Sequence, residues 1–229
     1  MAAAAPTKAA GKAAKPKPRK TRARRTWTRR SEARPDEILN SALDVFIKQG
    51  FDAARMEDIA EGAGVTKGAL YLYFDGKEQL LRALIEREIS PLVARIEALA
   101  SAGVDDPAAT FRALAKLVSG VLGQARVFAL PLLVVAIANR FPDLAEDYRQ
   151  NVFARGRAAM EGLVKRGIAI GQFRNIDPAA GARAIMGPLM FEVIWTHALK
   201  GPSELGRSQA WVDAQVDVAL NGLAAEKAA

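Results

Sequence analysis

The chain predicts an all-α fold, and three observations carry that expectation. Apolar side chains recur three and four residues apart along most of residues 36–226, the spacing of one helical face. Glycine, proline and Asp-Pro breakers interrupt the pattern only at intervals long enough for a helix. Nowhere does polarity alternate with a period of two over a strand's length, and no segment repeats at a fixed period.

Residues 36–49 place Ile38, Leu39, Ala42, Leu43, Phe46 and Ile47 on one stripe, and Gly50 stops the helix. Pro35, Asp36 and Glu37 suit its start, where a missing N–H is harmless and negative charge meets the positive end of the dipole. A short helix follows with Met56, Ile59, Ala60 and Ala63 inward, ended by Gly62 and Gly64. Thr66 caps a third helix over 67–74, and Asp75-Gly76 turns the chain. A longer helix starts at Lys77-Glu78 and carries Leu80, Leu81, Leu84, Ile85 and Ile89; Pro91 either kinks it or opens a new segment. Residues 107–122, 126–139, 144–170, 178–199 and 209–226 read as further helices. They are separated by Asp105-Asp106-Pro107, Phe141-Pro142-Asp143, Gly171, Asp177-Pro178 and Gly201-Pro202.

Composition narrows function before any motif is read. The 229 residues include no cysteine, which excludes disulfides, thiolate metal sites and cysteine nucleophiles, and a cytoplasmic location is expected. A single histidine, His197, argues against a histidine triad or multi-histidine metal centre; near a helix end it reads as structural or dipole-neutralising. No phosphate loop, nucleophile motif or metal-ligand cluster appears, so neither catalysis nor a cofactor is expected. The longest uncharged apolar stretch, 127–139, contains Pro131. It would span about 20 Å as a helix, short of the roughly 30 Å hydrocarbon core, so no membrane partner is expected.

Charge is unevenly placed. Residues 1–34 hold twelve Lys or Arg side chains against Glu32 alone, a net +11, which leaves −3 for the rest of a chain whose total is +8. Trp27 is the only large apolar side chain in that segment, so it reads as a basic tail disordered until it meets a polyanion. It lacks the apolar run of a secretory signal.

Two short helices separated by Gly64-Val65-Thr66 fit a helix-turn-helix, in which the second helix enters the major groove of DNA. The first long helix would buttress the pair through Phe46 and Phe51. The wider pattern is Ile38-Leu39, Ala42, Phe46, Gly50-Phe51, Met56-Glu57-Asp58-Ile59-Ala60, the run from Ala63 to Phe74, Lys77-Glu78 and Leu80. Over residues 35–84 it closely resembles the DNA-binding domain of TetR-like transcriptional repressors. Beyond that, residues 85–229 match in their helical plan, with Phe141-Pro142-Asp143-Leu144 and Gly187-Pro188-Leu189 of a kind seen in some members.

The resemblance assigns the third helix to the groove. Thr66 offers a hydroxyl and adjacent N–H groups to phosphate. Lys67 and Ala69 reach toward base edges, where Ala69 could touch only a thymine methyl. Gly68 permits close approach to the DNA backbone. Tyr71 and Tyr73 match positions that meet phosphate or base edges, and Lys77 matches a phosphate-contacting lysine. Leu72 stands where members often carry a polar or aromatic group, and its role is open. Leu70 and Phe74 pack inward. One departure is Arg55, where the family usually has a Ser or Thr cap; the lost cap costs on the order of 1 kcal/mol, and Arg55 could recover binding as a phosphate contact.

The resemblance also implies that the last two helices pair with those of a second copy in a four-helix bundle. Candidate interface residues are Ile185, Leu189, Glu192, Trp195, Trp211, Gln215, Val216, Ala219 and Leu223. Glu192 is either an interface hydrogen-bonder or a polar anchor for ligand. The middle helices would enclose a ligand cavity, with Phe111, Leu114, Val118, Phe128, Leu132, Phe153 and Met190 as candidate lining. Pro131 and Pro188 mark places where kinked helices could open it.

The expectation is therefore a dimeric regulator, a repressor by resemblance. It would bind a double-stranded palindromic operator and leave it when an apolar small molecule binds. The alternative is an architectural, sequence-independent DNA binder driven by the tail. Residues 35–84 themselves carry five bases against nine acids, so the tail would supply much of the attraction to DNA, along adjacent phosphate or in a neighbouring minor groove. Deleting residues 1–30 should therefore flatten the salt dependence of duplex affinity; an unchanged slope of log affinity against log salt would refute a tail contact.

Overall fold

The computed structural model describes residue 1 and residues 34–103, 105–122, 125–202 and 209–223. The expectations for the basic tail lie outside those residues. Among the described residues the chain forms helices and turns and no β-strand, as the periodicity predicts.

Helix α1 (Arg34–Ala53) carries the predicted apolar stripe inward, except Ile47, which is exposed. Gly50 breaks it at φ 78, a left-handed conformation that glycine adopts without steric cost. The break swings Phe51 onto Phe46, with ring centroids 5.4 Å apart, and edge-on against Phe141 at 5.6 Å. Helices α2 (Met56–Gly62) and α3 (Lys67–Tyr71) follow, joined by a turn whose Gly64 lies at φ 65. The third helix is shorter than residues 67–74, but Phe74 N donates to Leu70 O at 3.0 Å, so Phe74 still reaches the core. Helix α4 (Lys77–Glu88) is succeeded at once by α5 (Ser90–Ala102), with Pro91 in its first turn. Pro91 therefore opens a new helix rather than kinking the old one.

Next come α6 (Pro107–Leu122), α7 (Ala125–Ile137) and α8 (Pro142–Tyr148). The single helix expected over 144–170 is interrupted: α8 gives way to a π-helical segment, Arg149–Ala154, before α9 (Arg155–Ala169). Such a segment shifts the helical register. Tyr148 on one side joins the first apolar core, and Met160 and Leu163 on the other join the second. Helix α10 (Pro178–Val193) is capped by Asp177, whose carboxylate accepts from Ala180 N at 2.8 Å, and runs into a second π-helical segment, Ile194–Ala198. Helix α11 is Gln209–Leu223.

The two cores do not divide at residue 84. The first unites α1–α4 with Val93 of α5, Leu130 and Val134 of α7, and Leu144 of α8. The second gathers Phe111, Leu114, Met160, Leu163, Val164 and Ile185 with Val212, Val216 and Leu220 of α11. Ion pairs reinforce the seam around the first core: Arg126–Asp44 at 2.7 Å, Arg140–Asp52 at 2.9 Å, and Arg82 of α4 with Asp147. No helix among the described residues is long and apolar enough to cross a membrane.

Because nothing lies within 4 Å of a Cβ built at Gly64, its φ alone constrains the position. Gly64→Ala should destabilise the fold by about 1–2 kcal/mol, lowering Tm by a few degrees. Gly68, equally open but without a positive φ, should tolerate alanine with Tm unchanged or raised. Equal losses at both sites would refute backbone strain as the cause.

Candidate nucleic-acid interface

A five-residue helix cannot hold its own shape, and α3 is held from both ends and beneath. Thr66 accepts from Ala69 N at 3.2 Å, closing the N-cap. Leu70 is fully buried and Phe74 nearly so, in the core with Phe46, Leu80 and Leu84. What remains faces outward: Thr66, Lys67, Gly68, Tyr71, Leu72 and Tyr73 are exposed, Leu72 by 85%, and Ala69 is half-buried. Arg55 is exposed at the start of α2 and, as expected from its side chain, forms no cap hydrogen bond.

The cations of this surface are not equivalent. Lys67 pairs with Glu57 of α2 and lies 5.8 Å from the centroid of the Tyr71 ring. The shared hydrogen bond raises the lysine's pKa and lowers the glutamate's. Lys77 is turned inward: its Nζ donates to Phe51 O at 2.6 Å and Asp52 O at 3.0 Å, and lies 4.9 Å from the Phe51 ring. Burial lowers its pKa. In this arrangement Lys77 closes the carbonyl end of α1, so a phosphate contact would require its ammonium to be shared or released. The pairing of Glu57 with Lys67 carried no signal in the sequence, because the two residues are ten positions apart across the turn.

The C-terminal candidates redistribute. An apolar cavity of about 110 Å³ is lined by Phe111, Leu114 and Val118 from the predicted pocket set, but also by Ile185, Trp211, Gln215, Val216 and Ala219 from the predicted interface set. Phe153 and Met190 line a separate, larger groove of about 470 Å³. Leu132 packs against the second core and lines neither. The side chains of Phe128, Leu189, Leu223 and His197 lie outside the described set. Pro188 lines the apolar cavity, whereas Pro131 lines neither space. Glu192 is buried and accepts from Thr196 Oγ1 at 3.1 Å. Trp195 stacks on Phe191 at 6.4 Å and donates through Nε1 to Pro202 O at 3.1 Å. Together with Glu192, Trp211 and Gln215 these rings line a surface groove between α10 and α11. Phe191, Ile194 and Val218 are large apolar side chains left exposed, and the periodicity did not single them out.

To reach a DNA duplex, Lys67 must exchange Glu57 for DNA. Glu57→Gln should then raise affinity for random duplex about two- to fivefold, an exposed pair being worth under about 1 kcal/mol. It should also steepen the salt slope and leave Tm within a degree or two. Identical affinity and slope in the variant and the parent would place Lys67 away from the backbone.

Comparison with known proteins agrees with this geometry. Residues 38–84 match the model of bacterial regulatory proteins of the tetR family, and residues 102–214 match that of the tetracyclin repressor-like C-terminal domain. The HTH-type transcriptional regulator SrpR of Pseudomonas putida is 41% identical over 62 residues, which span 27% of this chain and only 29% of that protein. YdeS of Bacillus subtilis, an HTH-type transcriptional regulator, is 26% identical over 161 residues, covering 69% of this chain and 77% of its own. The crystal structure of a TetR-family regulator from Mesorhizobium loti superposes with a TM-score of 0.66 at 25% identity, over 84% of this chain and 95% of that one. The two family matches cover both helical regions, and the chain belongs to the TetR family of DNA-binding transcriptional regulators, a class of proteins that are not enzymes.

Proposed function

We propose that this regulator works as a homodimer, that each copy reads one half of a palindromic operator through α3, and that an apolar small molecule releases it and so relieves repression. The observation that carries the reading is the outward face of α3. A capped, core-anchored helix presents Lys67, Gly68, Tyr71 and Tyr73 to solvent, with the backbone bare at Gly68. Thr66, Ala69 and Leu72 complete that face, with Leu72 and Ala69 offering apolar contact to thymine methyls. Arg55 is a candidate phosphate contact beside it.

A second copy is the occupant proposed for the α10–α11 face. A solvent-exposed Phe191, 63% accessible, stacked on a Trp is an uncommon surface for an isolated protein. Two such faces brought together by a twofold axis would form an isologous bundle. One reading head alone would bind weakly, and two held at a fixed spacing double the readout.

For release, the proposed ligand enters the C-terminal cavities. The π-helical segment Arg149–Ala154 contributes Phe153 to the wall of the larger groove, and Asp147, just before it, pairs with Arg82 of α4. A ligand that moved this segment would shift α4, and with it the core that Leu70 and Phe74 share with Leu80 and Leu84, so that two reading heads no longer fit their half-sites. A tenfold preference of ligand for the released form corresponds to about 1.4 kcal/mol of coupling.

Selection of bound sequences from random duplex DNA tests the reading. The expected result is a palindrome with fixed half-site spacing; uniform coverage would favour tail-driven architectural binding instead. Phe191→Glu should retain helical circular dichroism, yet sediment as a monomer and bind the selected site at least about tenfold more weakly. A Phe191→Glu protein that stayed dimeric would place the interface elsewhere.

A further inference from the structure

The apolar cavity is small for the ligand it is proposed to hold. At about 110 Å³ it falls short of the roughly 300–1,000 Å³ usual for small-molecule sites, and it compares with an engineered cavity of about 150 Å³ that holds benzene. It can therefore seat one apolar ring or the end of a chain, and the rest of any larger ligand must lie outside it. The adjoining space is the groove of about 470 Å³, and Met186 is a wall of both.

That groove has a distinct chemistry. Phe153, Met186 and Met190 form its apolar surface, and Arg149, Arg157 and Arg183 stand around it. Two of the arginines pair with acids that do not line the groove. Arg149 donates from Nε to Glu146 Oε2 at 2.7 Å and from Nη2 to Glu146 Oε1 at 2.5 Å, and Arg157 Nε lies 3.4 Å from Glu161 Oε1. Arg183 has no hydrogen bond or ion pair among the described residues. No carboxylate lines the groove itself, so its fixed charge is positive. Three guanidinium groups beside apolar walls suit a molecule that is anionic at one end and apolar at the other.

We infer that the ligand is an anionic amphiphile, a carboxylate headgroup held by Arg149, Arg157 and Arg183 with its apolar chain running past Met186 into the smaller apolar cavity. This rests on the ligand-responsive reading proposed above and replaces its wholly apolar ligand with one that carries an anionic end. The arginine fork favours carboxylate over a neutral hydroxyl, and the surface exposure of all three groups makes that preference sensitive to salt.

The test titrates the full chain with decanoate, decanol and decyltrimethylammonium below their micellar concentrations, by isothermal calorimetry. Decanoate should bind about tenfold more tightly than decanol, the cation should bind least, and salt should narrow the gap. Arg183→Gln and the triple Arg149→Gln, Arg157→Gln, Arg183→Gln variant should lose most of the decanoate advantage and keep decanol affinity. Equal affinity for decanoate and decanol, or a salt-independent difference, would overturn the assignment; these two measurements need no variant to fold. Variants that lost duplex DNA affinity in parallel would reassign the arginines to nucleic acid. Absence of binding by all three compounds, with a palindrome still selected, would remove both this inference and ligand release while sparing operator reading. Selective decanoate binding without any selected palindrome would support this site and count against operator reading.

Discussion

The burial of Leu70 and Phe74 governs what this protein can present to a partner. A helix as short as α3 does not form alone, because fixing its first turn costs more than its few hydrogen bonds return. Its Thr66 cap contributes about 1 kcal/mol, whereas burying two large apolar side chains contributes roughly 1.5–3 kcal/mol each. Packing therefore decides the orientation of the helix. Once Leu70 and Phe74 point into the core, the intervening and preceding positions can only point out. The face carrying Lys67, Tyr71 and Tyr73 is the geometric remainder of that choice.

The same core ties α3 to the rest of the protein. Residues from α7 and α8 complete the apolar cluster under α1–α4, so the head is packed into the body and not merely linked to it. The charge pattern is consistent with this. The N-terminal helices carry more acids than bases, an awkward balance for contact with DNA. Asp44 and Asp52, however, engage Arg126 and Arg140 of the body, and Glu78 shares Arg82 with Asp147. Asp44 and Asp52, two of the nine acids of residues 35–84, are thus paired with arginines of the body, away from α3.

Much of the fold was legible in the residue pattern because helices advertise themselves locally. The stripe from Ile38 to Phe46, the breakers at Gly50 and Gly64 and the cap at Thr66 all act within a few residues of themselves, and each appears where the spacing placed it. Pro91 was ambiguous in sequence, since a proline suits a first turn as well as a kink. The π-helical segments were illegible for a different reason: their residues are ordinary helix formers, and the register shift answers to two cores meeting on opposite sides of Arg149–Ala154. Lys77 was read only as a phosphate contact, since a lysine near DNA and a lysine closing a helix end look the same in one dimension.

The C-terminal region separates the two kinds of information most clearly. Apolar periodicity by itself determined that α6, α9, α10 and α11 exist and which residues lie on their apolar faces. Composition likewise determined the absence of thiol chemistry and the concentration of positive charge at the N-terminus. Only the tertiary structure decided that Trp211, Gln215 and Ala219 line a cavity while Phe191 stays at the surface, and that Arg149, Arg157 and Arg183 meet around one groove. The physical reason is range. A helical face follows from neighbours three or four residues apart, but what that face covers depends on elements tens of residues away, whose approach no local pattern encodes.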